Sequence, residues 1–565
     1  MRTDISGWST RLTDEIITRN TESGIWRNRT LSDELAALVA RDPDRVLFVE
    51  GGRSHSVADM DRMARALASA LHARGLAAGD VVSFELPNWP ETVAIDLACA
   101  MLGLVCNPII PIYRDAEVSY ILRDAGTKAI FVPTTFRKFD YADMIARLRA
   151  ELPALEHVIT VRGAADGATA FEDLLGEGEE RFLGLPEVDP NAVKLIMYTS
   201  GTTGRPKGVL HSHNTIDTEI QAISGFLGLG DDDVILMPSP VSHITGYLYG
   251  IQMPFTLNAP AIFMETWDAA AAGDLIDSHG VTFTIAATVF LQELTVFARE
   301  NGRTLPSLRF FPSGGAPVPP EVIYNAHAAF DRCVCSRVYG STEAPTVTLG
   351  VNSRDEEALG ATTEGHIVGH EVKIVDPADG RELGPGEEGE ILSRGPEMCL
   401  GYAAAEHNAE AFEANGFFHT GDLAMLDADG ALMITGRSKD LIIRGGENIS
   451  PREVEDALHE HPAIREAAVV AMPHARMGET GCAFVVLEPG AELNLARVLD
   501  FLSGTGMAKQ KYPERLEIID DFPRTAAGKI RKNVLRDRIA DKLADDDGDR
   551  ARLTGSGLED NLIDR

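Results

Sequence analysis

Apolar residues at Met60, Met63, Ala64, Leu67 and Leu71 recur at helical spacing and predict an amphipathic helix. It follows "VLFVEGGRSHSVADM", which reads as a hairpin turning at Gly51-Gly52. "DVVSFELPN", "KAIFVP" and "HVITV" are short apolar strands separated by helical stretches. "VAIDLACAMLGLV" (93–105) is the longest greasy run, but it carries Asp96 and is too short to span a membrane, so it predicts a buried helix. The alternation continues through "VILMP", "APAIFM", "FTIAA" and "LRFFPSGG". Such alternation predicts an α/β protein with a largely parallel sheet.

After about residue 365 the pattern changes. "HEVKIVD", "EEGEILSRG" and "ALMITG" are short strands between Gly/Pro/Asp turns, which predict a small β-rich subdomain. From about 440, helix "PREVEDALHEH", strands "EAAVVAMP" and "GCAFVVLE", helix "LARVLDFLSG" and strand "ERLEIID" predict a compact α+β unit. The expected division is 1–436 (β-rich part about 365–436), 437–540, and an acidic flexible tail 541–565 beginning as a helix end.

The chain has 565 residues, enough for about three or four domain-sized units, or one large and one small. Lys plus Arg is 52 and Asp plus Glu is 86, a formal charge of −34. That excess disfavours nucleic acid and anionic membrane surfaces as partners. An anionic substrate then needs a local positive site. Cys99, Cys106, Cys333, Cys335, Cys399 and Cys482 form no CxxC pair, and no second Cys/His cluster accompanies the Cys333/Cys335 pair. The opening "MRTDISGWSTRLTDEIITRN" is charged throughout and lacks an apolar signal core. A cytoplasmic location in a reducing compartment is the expectation, with no transmembrane segment and a monomer or homodimer as the assembly.

"VKLIMYTS" reads as a strand entering "YTSGTTGRPKGV" (198–209). Its glycines reach positive φ and expose amides, which can form an anion-binding nest. Ser200, Thr202 and Thr203 add hydroxyl donors and Lys207 adds a charge, a set suited to nucleotide phosphates. The run is not a Walker A loop, because Gly208 follows Lys207. Further motifs follow in order: "FPSGGAPVP" (311–319), "RVYGSTE" (337–343), "FFHTGDLA" (417–424), "TGRSKDLIIRGGENISPREVE" (435–455) and "FPRTAAGKIRK" (522–532). This ordered set resembles the AMP-forming acyl-CoA synthetases of the adenylate-forming superfamily, over residues 30 to 540.

The resemblance implies ATP- and Mg²⁺-dependent joining of a carboxylate to AMP with release of pyrophosphate, then acyl transfer to coenzyme A. It also implies a large N-terminal domain of α/β sheets and a small α+β C-terminal lid. By position, Thr199, Ser200, Gly201, Thr202, Thr203, Gly204 and Lys207 would hold the ATP phosphates. Gly315, Ala316 and Pro317 would form one wall of the adenine slot and Tyr339 the other, with Gly340 and Ser341 beside it. Thr342 would bond the α-phosphate and Glu343 would hold Mg²⁺. Asp422 would accept both ribose hydroxyls, with Arg437 reaching the same sugar. Lys529 would sit between the two reacting anions. Lys439 is the implied hinge, and Gly445, Gly446, Glu447 and Asn448 the lid face toward coenzyme A.

His243 matches a gate between acyl pocket and thiol tunnel, while Gly246, Tyr247, Thr288, Val289 and Ser313 are acyl-pocket candidates by position. The 82–114 segment resembles the cyclohexanecarboxylate-CoA ligase and medium-chain branch, which implies an alicyclic, aromatic or medium-chain acid. An adenylating enzyme that loads a carrier protein is the alternative.

Overall fold

The computed structural model describes residues 2–179, 184–199, 206–437, 440–444, 447–474, 477–505, 507, 509–525 and 529–555. Short β-branched and aromatic runs form its sheets. Strand Val46–Glu50 pairs antiparallel with Arg53–Ser56, and Gly51 and Gly52 (φ 56° and 80°) make the tight connection that a side chain at positive φ would strain. Ser56 caps the next helix, Val57–Ala73, in a reciprocal box with Asp59. Met60, Ala64, Leu67 and Leu71 of that helix are buried.

By Cα proximity the chain forms two units. The first comprises Met1–Lys373, Leu392–Thr420 and Leu426–Met433; the second comprises Ile374–Ile391, Gly421–Met425 and Ile434–Arg565. The first holds an eight-stranded sheet ordered Thr169–Ala170, His157–Val161, Ala129–Pro133, Val81–Phe84, Val105–Pro108, Val193–Thr199, Lys207–Ser212, Gly401–Tyr402. Neighbours are parallel as far as Val193–Thr199, and the last two pairings are antiparallel. Helix Pro90–Leu102 is buried on nearly all sides, as its largely apolar run predicts, with Asp96 buried among the apolar residues. Strands Phe310–Gly314 and Val334–Val338 pair in parallel. The expected strand at "FTIAA" is instead three isolated bridges, two at Phe283 and one at Ala286, because the chain turns into helix Thr288–Glu300 before a ladder can extend.

In the second unit, strands Ile464–His474 and Gly478–Leu487 form a long antiparallel pair. Their alternation divides two cores. Val469 and Val485 face Val454 and Leu458 of helix Pro451–His459 and Val498 and Leu502 of helix Leu495–Ser503. Val470 and Phe484 face Leu535 and Ile539 of helix Lys532–Gly555. That helix continues to Gly555, so 541–555 is helical rather than a frayed tail. Residues 556–565 lie outside the described set. The β-rich stretch contains strands Glu371–Val375, Gly389–Arg394, Phe418–Leu426 and Leu432–Arg437. Among the described residues no helix is long and apolar enough to cross a membrane.

Candidate active site

Sheet registry brings the first group of motif residues together. Thr199 pairs with Lys207, so strands Val193–Thr199 and Lys207–Ser212 form a hairpin whose connection contains the glycine-rich run. Ser200, Gly201, Thr202, Thr203 and Gly204 lie outside the described residues. Lys207 is half-buried at the start of the return strand, with Nζ 5.1 Å from the centroid of the Tyr402 ring. The Tyr402 hydroxyl donates to Glu343 Oε1 at 2.7 Å. One phenol therefore meets both a cation and a carboxylate. Burial and the adjacent Glu343 charge push the Tyr402 pKa up, so it remains a donor. Among the described residues Glu343 Oε2 has no hydrogen-bond partner, which suits a hard cation such as Mg²⁺.

The parallel registry Gly314–Val338 sets the "GGAP" turn and the "YGSTE" segment side by side at the carboxyl edge of their strands, where ligands bind in open α/β sheets. Glycine is required at 314, since a Cβ would stand 2.5 Å from the Val338 carbonyl. Gly340 is tighter still, with a Cβ falling 1.8 Å from the Pro345 carbonyl. Gly315 takes φ +79° and is exposed, as is Pro317, while Ala316 and Tyr339 are half-buried. Ser341 N–H donates to the Ala344 carbonyl at 2.8 Å, closing the loop that carries Thr342 and Glu343.

His211 fixes this loop from below. Its Nε2 donates to the Thr342 carbonyl at 2.7 Å, and Nδ1 lies 3.1 Å from the Thr215 hydroxyl. Since a carbonyl only accepts, the proton resides on Nε2. Full burial lowers the His211 pKa to about 4, so the ring is neutral. Three residues past Glu343, Thr346 donates to Glu219 Oε1, which also accepts from Tyr249 at 2.7 Å. Neither His211 nor Tyr402 stands out in the sequence. "VLHSHNT" and "CLGYAA" carry no spacing signal, and sheet pairing alone delivers both side chains.

The acyl-pocket candidates separate. His243 caps the helix beginning at Ile244, its Nδ1 accepting from Thr245 N–H at 3.4 Å. Gly246 packs so closely that a Cβ would be 2.1 Å from the Pro240 carbonyl. The Thr288 hydroxyl donates to the Pro317 carbonyl, Ser313 is fully buried with no partner for its Oγ among the described residues, and Val289 is exposed. Tyr247 is fully buried, its hydroxyl bonding Asp96 at 2.6 Å and meeting Lys194 at 2.5 Å, so its polar end serves the buried ion pair.

In the second unit, Arg437 Nε lies 2.9 Å from Asp422 Oδ1, and Asp422 is buried. Lys529 closes a short loop: its N–H donates to Thr525 Oγ1 at 3.1 Å and its carbonyl accepts from Thr525 N–H at 2.7 Å. Arg524 and Ile530 form an antiparallel bridge outside this pair, and residues 526–528 lie outside the described set. Strands Ile442–Arg444 and Glu447–Ile449 pair on either side of Gly445 and Gly446, which with Lys439 lie outside the described residues. For Glu447 and Asn448 only the strand backbone is described.

A lysine and a carboxylate joined by one tyrosine, beside a glycine turn and a tight Thr-Glu loop, define the architecture of a nucleotide-using ligase. The family model "AMP-binding enzyme" matches residues 35–403, and "AMP-binding enzyme C-terminal domain" matches 453–529. The chain belongs to this AMP-binding family, the adenylate-forming acyl- and aryl-CoA ligases. It is 36% identical over 531 residues to the medium-chain fatty-acid–CoA ligase of Escherichia coli (strain K12), covering 93% of each chain. It is 30% identical over 541 residues to the 2,3-dihydroxybenzoate-AMP ligase of Bacillus subtilis (strain 168), covering 94% of this chain and 97% of that one. Among solved structures, ATP-bound MatB from Rhodopseudomonas palustris superposes with TM-score 0.81 at 29% identity, covering 90% of this chain and 99% of that one.

Proposed function

We propose that this enzyme activates a monocarboxylic acid of the alicyclic, aromatic or medium-chain kind as its acyl-AMP, releases pyrophosphate, and transfers the acyl group to coenzyme A. The observation that carries the reading is the Lys207–Tyr402–Glu343 arrangement at the mouth of the glycine-rich hairpin. Similarity to the Escherichia coli medium-chain fatty-acid–CoA ligase supports the medium-chain option.

In this reading Lys207 and the amides and hydroxyls of 199–204 bind the β- and γ-phosphates. Gly315, Ala316 and Pro317 face the adenine opposite Tyr339, with Gly340 and Ser341 at its edge. Thr342 bonds the α-phosphate, held in place by the His211 hydrogen bond to its carbonyl. Glu343 would hold Mg²⁺, which when bound neutralises phosphate charge. Asp422, oriented by Arg437, takes the ribose hydroxyls. The substrate carboxylate is already a nucleophile, so the chain need not supply a general base. Lys529 offsets the repulsion between that carboxylate and the α-phosphate and stabilises charge developing at phosphorus. The C-terminal region then turns about Lys439, withdrawing Lys529 and presenting the 445–448 face to coenzyme A. His243 gates the acyl end.

The test is AMP release with a panel of acids, from acetate through cyclohexanecarboxylate to long-chain and sterol acids, with and without coenzyme A. Failure of every acid to support pyrophosphate exchange would sink the reading. Carrier-protein loading is the second reading, favoured by similarity to the Bacillus aryl-acid ligase. It predicts adenylate formation without transfer to coenzyme A.

A further inference from the structure

Helix 244–257 is not regular: its centre, Tyr247–Gln252, is a six-residue π-turn between two α-helical ends. Wide turns of this type are rare and need a reason to persist. At about 100° per residue, α-helical positions five apart point about 140° away from each other. In an i→i+5 turn they lie nearly one above the other. Tyr247 and Gln252 are such a pair, and one carboxylate binds both. Asp96 Oδ1 accepts from the Tyr247 hydroxyl at 2.6 Å, and Asp96 Oδ2 accepts from Gln252 Nε2 at 2.6 Å.

The carboxylate comes from buried helix Pro90–Leu102 and is itself inaccessible to solvent. Lys194 Nζ donates to both Asp96 oxygens at 2.9 Å, completing a fully buried ion pair with a partner on every oxygen. Lys194 lies on strand Val193–Thr199, which leads into the glycine-rich run. The π-turn in turn follows His243 and Gly246 directly. Gly246 packs against the Pro240 backbone so closely that no side chain fits there.

We infer that Asp96, balanced by Lys194, is a positioning residue that holds the π-turn and so fixes where His243 and Gly246 stand in the acid-binding region. This rests on the proposed acyl role of those two residues. An α-helical relaxation of 247–252 would rotate the helix start by a fraction of a turn relative to its end, changing the shape offered to the acid. Nucleotide contacts on the Lys207–Ser212 and Val334–Val338 side would not move.

The test uses Gln252→Leu, which releases one end of the turn, and the double variant Asp96→Asn/Lys194→Met, which removes both buried charges together. Replacing both members of a buried pair spares the fold more often than removing one. Expected for either folded variant is a change of at least about fivefold in KM for the acid and an altered acid-size profile, with KM for ATP within about twofold of the parent. Equal changes in both KM values, or an unchanged acid profile in folded Gln252→Leu, would overturn the inference. A crystal structure of Gln252→Leu decides independently of turnover: a regular α-helix through 244–257 supports the clamp, and a retained π-turn refutes it. Should the parent enzyme use no acid at all, the functional reading falls while this structural readout still judges the clamp.

Discussion

The Tyr402 hydroxyl donates to Glu343 Oε1 at 2.7 Å, tying the 401–402 strand to the Thr342–Glu343 loop. The bond holds Oε1 in place and, among the described residues, leaves Oε2 without a hydrogen-bond partner. Tyr402→Phe keeps the ring under Lys207 and removes only this donor. Hydrogen bonds to charged groups contribute about 1.5–3 kcal/mol. The expected outcome is a rise of about tenfold or more in the Mg²⁺ concentration needed for half-maximal pyrophosphate exchange. An unchanged Mg²⁺ dependence would remove Glu343 from the metal role.

Under the proposed function, Lys529 acts in only the first of the two half-reactions. Its ammonium is assigned to charge developing at the α-phosphate, and losing one such preorganised donor costs about 10²–10³ in rate. Lys529→Ala should therefore lower pyrophosphate exchange by at least that factor. Thioester formation from a preformed acyl-adenylate should proceed at close to the parental rate, because the side chain is then withdrawn. Equal loss in both assays would contradict the two-state scheme. Acetylation confirmed at Lys529 should copy the first effect, since it removes the same charge.

Much of the fold follows from local pattern. The period-2 strands, the Gly51-Gly52 hairpin and the buried helix around Asp96 all occur where hydrophobic spacing puts them. What sequence order leaves open is contact between distant segments. His211 and Thr342 are 131 positions apart, and Tyr402 and Glu343 are 59 apart, so neither pairing has a local signature. Tyr247 shows the same limit. Its neighbourhood to His243 suggests a pocket residue, yet its hydroxyl bonds the buried Asp96–Lys194 pair, which a distant helix and strand supply. The π-turn is equally invisible to a 3.6-residue template, because its cause lies on another helix.

Gly340 offers a steric prediction. A methyl group there would lie 1.8 Å from the Pro345 carbonyl, inside any tolerable contact, and the obstacle is backbone rather than a side chain that could swing aside. Gly340→Ala should displace the Ser341–Glu343 loop, reduce adenylation about tenfold or more, and lower the thermal midpoint. Gly302, where a Cβ meets nothing within 4 Å, provides the control: its Ala variant bears only the strain of positive φ (+61°) and should keep normal KM values.

Glu219 should give the enzyme a measurable pH signature. Both hydroxyls of Tyr249 and Thr346 converge on Oε1, while Oε2 is buried with no hydrogen-bond partner among the described residues. Burial raises its pKa from 4.5 to about 7, against the opposing hydrogen bonds of Thr346 and Tyr249, with Glu397 raising it further and His370 lowering it. A carboxyl whose folded pKa is raised contributes its stability fully below the unfolded value and loses it as pH climbs through the folded one. At about 1.4 kcal/mol per pH unit, the window from 4.5 to about 7 amounts to about 3 kcal/mol. Glu219→Gln cannot ionise and should flatten this slope. Thermal midpoints of parent and variant, compared from pH 4.5 to 8, should therefore diverge in the variant's favour as pH rises, with most of the change complete by about pH 7.5. A constant difference across the range would mean that Glu219 is ionised in the folded enzyme throughout and that the Thr346–Tyr249 hydroxyls suffice to hold its charge.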